Sequence, residues 1–442
     1  MTLSPEVIGN PGSLGNPGSP SLPGLLDVER IRKDFPVLDR VTPDGLPLIY
    51  LDSANTSQKP QQVIDAMVDF YSRHNANVAR AMHMLGQEST ELFEGARDKV
   101  AAFIGAPSRD EVVFTKNSSE ALNLVANVLA FAGQADQPHG LRPGDEVVIT
   151  EMEHHSNIVP WQLVTQRTGA TLRWFNVDDD GRLDLSQLDE IVNERTKVVS
   201  LVHVSNALGT LNPVELIAKR AHDVGALVVV DASQSVPQMP VDVSRLGADF
   251  VAFTGHKMCG PTGIGVLWGR YDLLATLPPF LGGGEMIEVV EMTGSTYAPP
   301  PHRFEAGTPP IAQAVGLGAA VDYLSAIGMD KIADHERAIT GYALDRLTEV
   351  PGVRVIGPAT SEMRGGAISL VVDGVHPHDV SQVLDARGVA VRAGHHCARP
   401  VCQRFGVAAT TRASFYLYTT PQEIDALIDG LHEVVRFFGE RP

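Results

Sequence analysis

Four stretches of the chain end an apolar run in residues able to hold or transform a charged ligand. EVVFT is followed by Lys116-Asn117-Ser118-Ser119-Glu120. Asn117 or Ser118 suits a helix N-cap, and the free N–H groups of a helix start plus two hydroxyls make an anion site. An ordinary capping box has the same appearance. Glu153-His154-His155-Ser156-Asn157 places two histidines side by side. Such a pair can be structural, bind a metal or stack on a planar ring. Metal is disfavoured, because adjacent side chains in extended chain point oppositely and no carboxylate or thiol stands at ligand spacing. Ala226-Leu227-Val228-Val229-Val230 runs into Asp231, then Ala232-Ser233-Gln234. A carboxylate at the end of a buried strand needs a positive partner, unless it only caps a helix. Finally DFVAF closes on Thr254-Gly255-His256-Lys257. A lone buried ammonium is costly there, whereas a lysine that forms a Schiff base puts its amine to use.

The elements that would carry these ends alternate. PQQVIDAMVDFYSRH, STELFEGARDKVAAFI and SSEALNLVANVLAF have helical spacing. EVVFT, EVVITEMEH, TLRWFNV, KVVSLVHVS, ALVVVDASQ and DFVAFTGHK are short β-rich runs. Continuous apolar strands separated by helices predict an α/β fold with a mostly parallel sheet covered on both faces. In such a sheet, ligands bind outside the carboxyl ends of the strands, where all of these polar clusters fall. Past residue 312 the texture changes to a smaller α+β unit: two long helices, strands VRVIG and AISLVV, a helix at HDVSQVLDAR, a strand VAVRAG and a final helix QEIDALIDGLHEVVRFF. The division expected is a disordered tail over 1–25, rich in Gly, Pro and Ser, and an N-terminal segment over 26–49 that packs with the small domain. A large domain over 50–312 and a small domain over 313–442 complete it. LDVERIRKDFPVL reads as helical and PLIYLDSA as a short strand.

The chain has 442 residues and a formal net charge of -18, from 35 basic and 53 acidic side chains. That charge argues against nucleic acid and anionic membrane as partners. No apolar run of about 20 residues predicts a membrane span, and the N-terminus lacks the pattern of a signal peptide. Three cysteines, Cys259, Cys397 and Cys402, cannot build a disulfide framework, which fits a reducing cytoplasm.

None of the four polar clusters is specific alone. Together they supply what pyridoxal 5'-phosphate requires: a phosphate cradle, a ring-stacking group, an acid for the pyridine nitrogen and a lysine for the aldehyde. The order and spacing of EHHSNIVPW, VVVDASQSVP, FTGHK-x-x-GPTGIGVLW, RFEAGTP and RAGHHCARP resemble the class V, fold-type I cysteine desulfurases. Within these the resemblance is to the SufS-like branch, which includes selenocysteine lyases. It covers about residue 28 to the C-terminus.

The resemblance implies that Lys257 takes the cofactor aldehyde, His154 stacks on the ring, Asp231 pairs with the pyridine nitrogen and Gln234 reaches the phenolic oxygen. Ser118, Ser119, Thr254 and His256 would hold the phosphate, with Gly307 and Thr308 serving the other subunit of a homodimer. Asn206, Arg392 and Arg412 would orient L-cysteine, Arg412 taking its carboxylate. Cys397 would accept the sulfur as a persulfide, destined for iron-sulfur cluster assembly. Arg392, His395, His396 and Arg399 are expected to form a cationic field favouring its thiolate. Cys259 and Cys402 read as packing residues.

The segment NANVARAMHML departs from the branch, with Ala79 and Ala81 where histidine and glycine are usual. In the same branch a histidine matching His378 can coordinate the zinc of a SufU-kind acceptor; a zinc-free SufE-kind acceptor is the other partner implied. A selenocysteine lyase would use the same site. A non-catalytic scaffold of a sulfur-transfer complex is the alternative outside enzymes, and the joint presence of Lys257, Asp231, His154 and Cys397 argues against it.

Overall fold

The computed structural model describes residues 26–79 and 82–439. The expected tail over 1–25 lies outside the described residues, as does Ala81.

The large sheet has seven strands: β1 (Val112–Thr115), β2 (Glu146–Thr150), β3 (Thr171–Phe175), β4 (Thr196–Val202), β5 (Leu227–Asp231), β6 (Phe250–Thr254) and β7 (Gly265–Gly269). Their order is β1-β7-β6-β5-β4-β2-β3. β7 is antiparallel to both β6 and β1, and the remaining neighbours pair in parallel. The apolar run of β5 shows why both faces are covered. Leu227 and Val229 enter one core with Leu122, Val125 and Trp161. Val228 and Val230 enter the other with Ile217 and Leu317. Alternate residues of a strand point to opposite faces, so a run without polar positions needs helices on each side.

Helix Ser118–Gln134 follows β1 and is capped by Asn117, whose side chain accepts from the N–H of Glu120. β7 passes close to this helix start. A Cβ at Gly265 would lie 2.5 Å from the Asn117 backbone, so only glycine fits.

The C-terminal part has its own antiparallel sheet, ordered Val353–Ile356, Ala367–Val372, Thr410–Ser414, Arg392–Gly394. Ile339, Leu344, Leu384, Ile424 and Leu431 form its core, together with Ile49 and Leu51 from near the N-terminus. The expected strand VAVRAG is two strands. Val389–Ala390 pairs in parallel with Ile49–Tyr50, and Arg392–Gly394 pairs with Thr410–Arg412. The helical reading of LDVERIRKDFPVL also divides, into Val28–Arg32 and a tight turn at Pro36–Asp39. Phe35, preceding a proline, is held extended. No single helix among the described residues is long and apolar enough to cross a membrane.

Candidate active site

A cleft of about 210 Å³ opens at the carboxyl ends of the parallel strands and is closed on one side by the C-terminal sheet. Ser118, Ser119, His154, Asn206, Asp231, Gln234, Thr254, His256, Lys257, Arg392, Cys397 and Arg412 all line it. Residues from seven distant segments therefore converge: the strands of the large sheet deliver their polar ends to one edge, and the C-terminal sheet and the loop after its strand Arg392–Gly394 add Arg392, Cys397 and Arg412.

One corner is a cluster of hydroxyls beside the start of helix Ser118–Gln134. Ser233 Oγ donates to Ser118 Oγ at 3.0 Å, and Ser119 Oγ lies 2.5 Å from Ser156 Oγ. His256 Nδ1 lies 3.2 Å from Thr56 Oγ1. Ser156 and Ser233 were not singled out from sequence, although Ser233 follows Asp231 in the polar end of the β5 run. Thr254 Oγ1, Asn206 Oδ1 and Arg412 Nε are buried in the cleft with no hydrogen-bond partner among the described residues. Burying such atoms without partners costs about 1–3 kcal/mol each. A phosphate ester offers the acceptor that Thr254 Oγ1 lacks beside the hydroxyl cluster, and a carboxylate-bearing substrate offers the one that Arg412 Nε lacks, so the residues present fit pyridoxal phosphate together with an amino acid.

The centre of the cleft holds His154, Asp231 and Lys257. His154 Nδ1 accepts from the Ser156 N–H at 3.1 Å. Burial, then the nearby Lys257 charge, lowers its imidazole to about 4, leaving a neutral ring at pH 7. Asp231 is 4% exposed and accepts from the Ser233 N–H at 3.0 Å. It therefore caps the following turn and faces the cleft as well. Burial lowers the Lys257 ammonium to about 8, with Asp231 opposing that shift and Arg412 adding to it. Gln234 donates its amide to Ala54 O at 2.7 Å.

Beneath the His154 turn lies Glu153, fully buried. It takes hydrogen bonds from Thr150 Oγ1 at 2.6 Å, Asn157 Nδ2 at 2.6 Å and the Val202 N–H at 2.9 Å. Burial pushes its carboxyl up to about 8. Glu153 thus ties β2 to β4 and fixes the histidine turn, a role its neighbours in sequence do not reveal.

The C-terminal sheet brings Arg412 beside Arg392. Arg412 donates to Asn206 O at 2.9 Å and pairs with Asp52 at 3.1 Å, so its charge is balanced before any ligand arrives. Cys397 is exposed, whereas Cys259 and Cys402 are buried. Burial raises the Cys259 thiol to about 12 and also raises Cys402. The expected cationic field around Cys397 loses one member. His396 is buried and bonded to Thr410 Oγ1 at 2.8 Å, and burial lowers it to about 3, so it carries no charge at pH 7. His396 and Cys397 both adopt left-handed backbone, with φ of 52° and 56°. Each such residue costs on the order of 1–3 kcal/mol and persists only where its surroundings hold it.

Gly307 and Thr308 do not join this cleft. Gly307 lines a separate cavity of about 480 Å³ with Ala79, Arg97 and His302. Its segment is anchored by Glu305, which grips the fully buried Arg97 at 2.7 and 2.9 Å. Ala79 has a φ of 72° and donates its N–H to Thr90 Oγ1. His378 lies elsewhere, exposed in the first turn of helix Pro377–Asp385, with its N–H on His376 Nδ1 at 3.3 Å.

Residues 49–427 match the family model for class-V aminotransferases. A probable cysteine desulfurase of Streptomyces coelicolor is 69% identical over 95% of this chain and 99% of its own length. A cysteine desulfurase of Haloferax volcanii is 51% identical over 93% and 98%. The apo structure of a cysteine desulfurase from Thermococcus onnurineus superimposes with a TM-score of 0.87 at 41% identity, covering 95% of this chain and 99% of that one. The cysteine desulfurase CsdA from Escherichia coli gives 0.84 at 35% identity, over 93% and 99%. Together with the cleft at the strand ends, these similarities establish that the chain belongs to the class-V aminotransferase family.

Proposed function

We propose that this chain is a pyridoxal-phosphate-dependent cysteine desulfurase that converts L-cysteine to L-alanine and carries the sulfur as a persulfide on Cys397. The observation that carries this reading is the placement of an exposed thiol and a buried amine, Cys397 and Lys257, on one cleft. A transaminase of the same family has no use for a thiol there.

When bound, the cofactor supplies an electron sink that weakens bonds at the substrate carbons. Ser118, Ser119, Thr254 and His256 hold its phosphate, and Asp231 keeps a proton on its pyridine nitrogen. His154, neutral at pH 7, covers the ring without adding charge. Arg412, Arg392 and Asn206 orient the substrate, Arg412 taking its carboxylate. A guanidinium offers it two parallel donors, which an ammonium cannot. Lys257, as a free amine, would remove the substrate's Cα proton; its ammonium, lowered to about 8, gives up its own proton readily enough for that task. The Cys397 thiolate attacks the substrate Sγ, so that an S–S bond forms as the Cβ–S bond breaks. The electron pair returns to the carbon skeleton, which leaves as alanine after protonation.

We further place the enzyme in the SufS-like branch, as a cytoplasmic homodimer in which Gly307 and Thr308 complete the partner's phosphate site. The persulfide passes to a SufU-kind or SufE-kind acceptor feeding iron-sulfur cluster assembly. The exposed His378 is the residue we assign to a zinc-bearing acceptor, because neutral imidazole is a good zinc ligand. The deciding experiment mixes purified protein with L-cysteine and follows alanine, together with the mass of the peptide containing Cys397. Alanine with added sulfur on that peptide supports the reading. Alanine with no sulfur on Cys397 removes Cys397 from it.

A further inference from the structure

The Cys397 loop lies between strand Arg392–Gly394 and helix Arg399–Arg404, and regular secondary structure does not hold it. Its left-handed residues must be fixed from outside. The large domain does this from two strand ends. After β4, Asn206 Nδ2 donates to His396 O at 2.7 Å. After β2, His155 acts twice: its N–H donates to Cys397 O at 2.7 Å, and its ring Nε2 accepts the Arg399 N–H at 3.2 Å. Arg399 opens the short helix, so its N–H has no partner within that helix. Pro400 next to it has no N–H to offer.

We propose that His155 is a positioning residue for sulfur transfer, its neutral ring latching the far side of the Cys397 loop against the cleft. The inference rests on Cys397 as the sulfur acceptor. His154, the neighbouring ring, faces the cofactor cleft, so the two adjacent histidines divide between cofactor and thiol loop. As acceptor, Nε2 must be unprotonated, which places the proton of the neutral ring on Nδ1. The charged and titratable groups facing this ring are His395 and Arg399 from the loop and His154 from its own turn. Burial first, then His395 and Arg399, holds the His155 imidazole below the usual histidine range, so the latch is closed at neutral pH. Protonation in acid removes the acceptor and sets a cation against Arg399. The latch then opens.

The test compares the holoenzyme with His155→Ala and His155→Gln. Hydrogen exchange is measured on the peptide spanning residues 394–404, alongside cysteine turnover and the visible absorbance of bound cofactor. Glutamine offers a carbonyl oxygen at a reach similar to Nε2 and does not titrate. His155→Ala is expected to exchange faster at this peptide and to lose about fivefold in turnover, the worth of one net hydrogen bond. Its cofactor absorbance should match the parent's. His155→Gln should restore protection and most turnover at neutral pH, and its protection should no longer fall in acid. If His155→Ala exchanges and turns over like the parent, the proposal is wrong. It is equally wrong if His155→Gln is as unprotected and slow as His155→Ala with cofactor absorbance intact. A parent enzyme that forms no persulfide on Cys397, yet shows the expected exchange pattern, would retire the sulfur-carrier reading and leave the latch standing.

Discussion

Lys257 and Cys397 face one cleft from opposite kinds of support. Lys257 sits on a tight turn directly after β6, between Thr254 and the fully buried Met258 and Cys259. The carbonyl of its neighbour His256 accepts from the Ser57 N–H at 3.0 Å, Thr56 Oγ1 at 2.9 Å and Lys59 Nζ at 2.8 Å. Cys397 is exposed, on left-handed backbone, in a loop held by one hydrogen bond from Asn206 to His396 O and two made by His155, to Cys397 O and from the Arg399 N–H. In the function proposed above, the amine meets the same cofactor atom at every turnover, and it is fixed by packing. The thiol proposed to meet a substrate inside the cleft and then an acceptor outside it stands on a support that a few kcal/mol can release.

The comparison breaks first at its two reacting atoms. Lys257→Ala is expected to lose both the visible absorbance of bound cofactor and all turnover. Cys397→Ser is expected to keep the absorbance and lose sulfur transfer, because a serine hydroxyl is far less acidic and less nucleophilic. A Cys397→Ser enzyme that still releases alanine at the parental rate would show that the exposed loop carries no chemistry. Asp231→Ala should bind cofactor more weakly and slow turnover roughly a hundredfold or more. Near-parental activity would leave Asp231 as only the cap that its contact with the Ser233 N–H suggests.

A smaller effect sharpens the buried side. The attacking form of Lys257 is the free amine, and burial lowers its ammonium to about 8 from the model-peptide value of 10.5. Uptake of pyridoxal phosphate by cofactor-free protein should therefore accelerate as pH rises through about 8 and level off above it. A rate that keeps climbing towards the ordinary lysine range would mean that the cleft is wetter than its packing implies.

Two further substitutions test the exposed side against its surroundings. His378→Ala should leave turnover without acceptor at the parental level and sharply reduce stimulation by a zinc-bearing acceptor. Equal stimulation of variant and parent would move the docking point elsewhere. Cys259→Ser, which buries a hydroxyl near Tyr416 and Ser57, should cost about 1 kcal/mol of stability and change turnover only modestly. Its left-handed backbone, with a φ of 62°, matches that of Cys397. If loss of Cys259 abolished sulfur transfer, backbone geometry rather than exposure would mark the reactive thiol.

The residues lining the cleft were readable because apolar strands ending in Asp231, Thr254 or the His154 turn announce both their burial and their polar ends. Glu153, Ser156 and Arg97 were not. Glu153 is an acid that stays inside because three donors meet it there, and none of these partners has a sequence signature. Strand Thr410–Ser414 was missed for a related reason. It is fully buried although it reads TTRAS, since Asp52 balances the Arg412 charge and the carbonyl of Asn206 takes one of its N–H groups, both from remote positions.

Local pattern therefore determined which segments form the parallel sheet, because strand period and apolar content are properties of neighbouring residues. The same pattern, with the family resemblance, identified Lys257, Asp231, His154 and Cys397. Tertiary structure alone decided that His396 is neutral, that Arg412 arrives already paired, and that His155 grips the Cys397 loop while His154 faces the cleft. Charge state and hydrogen-bond partnership depend on burial and on atoms hundreds of residues away, which a sequence read locally does not contain.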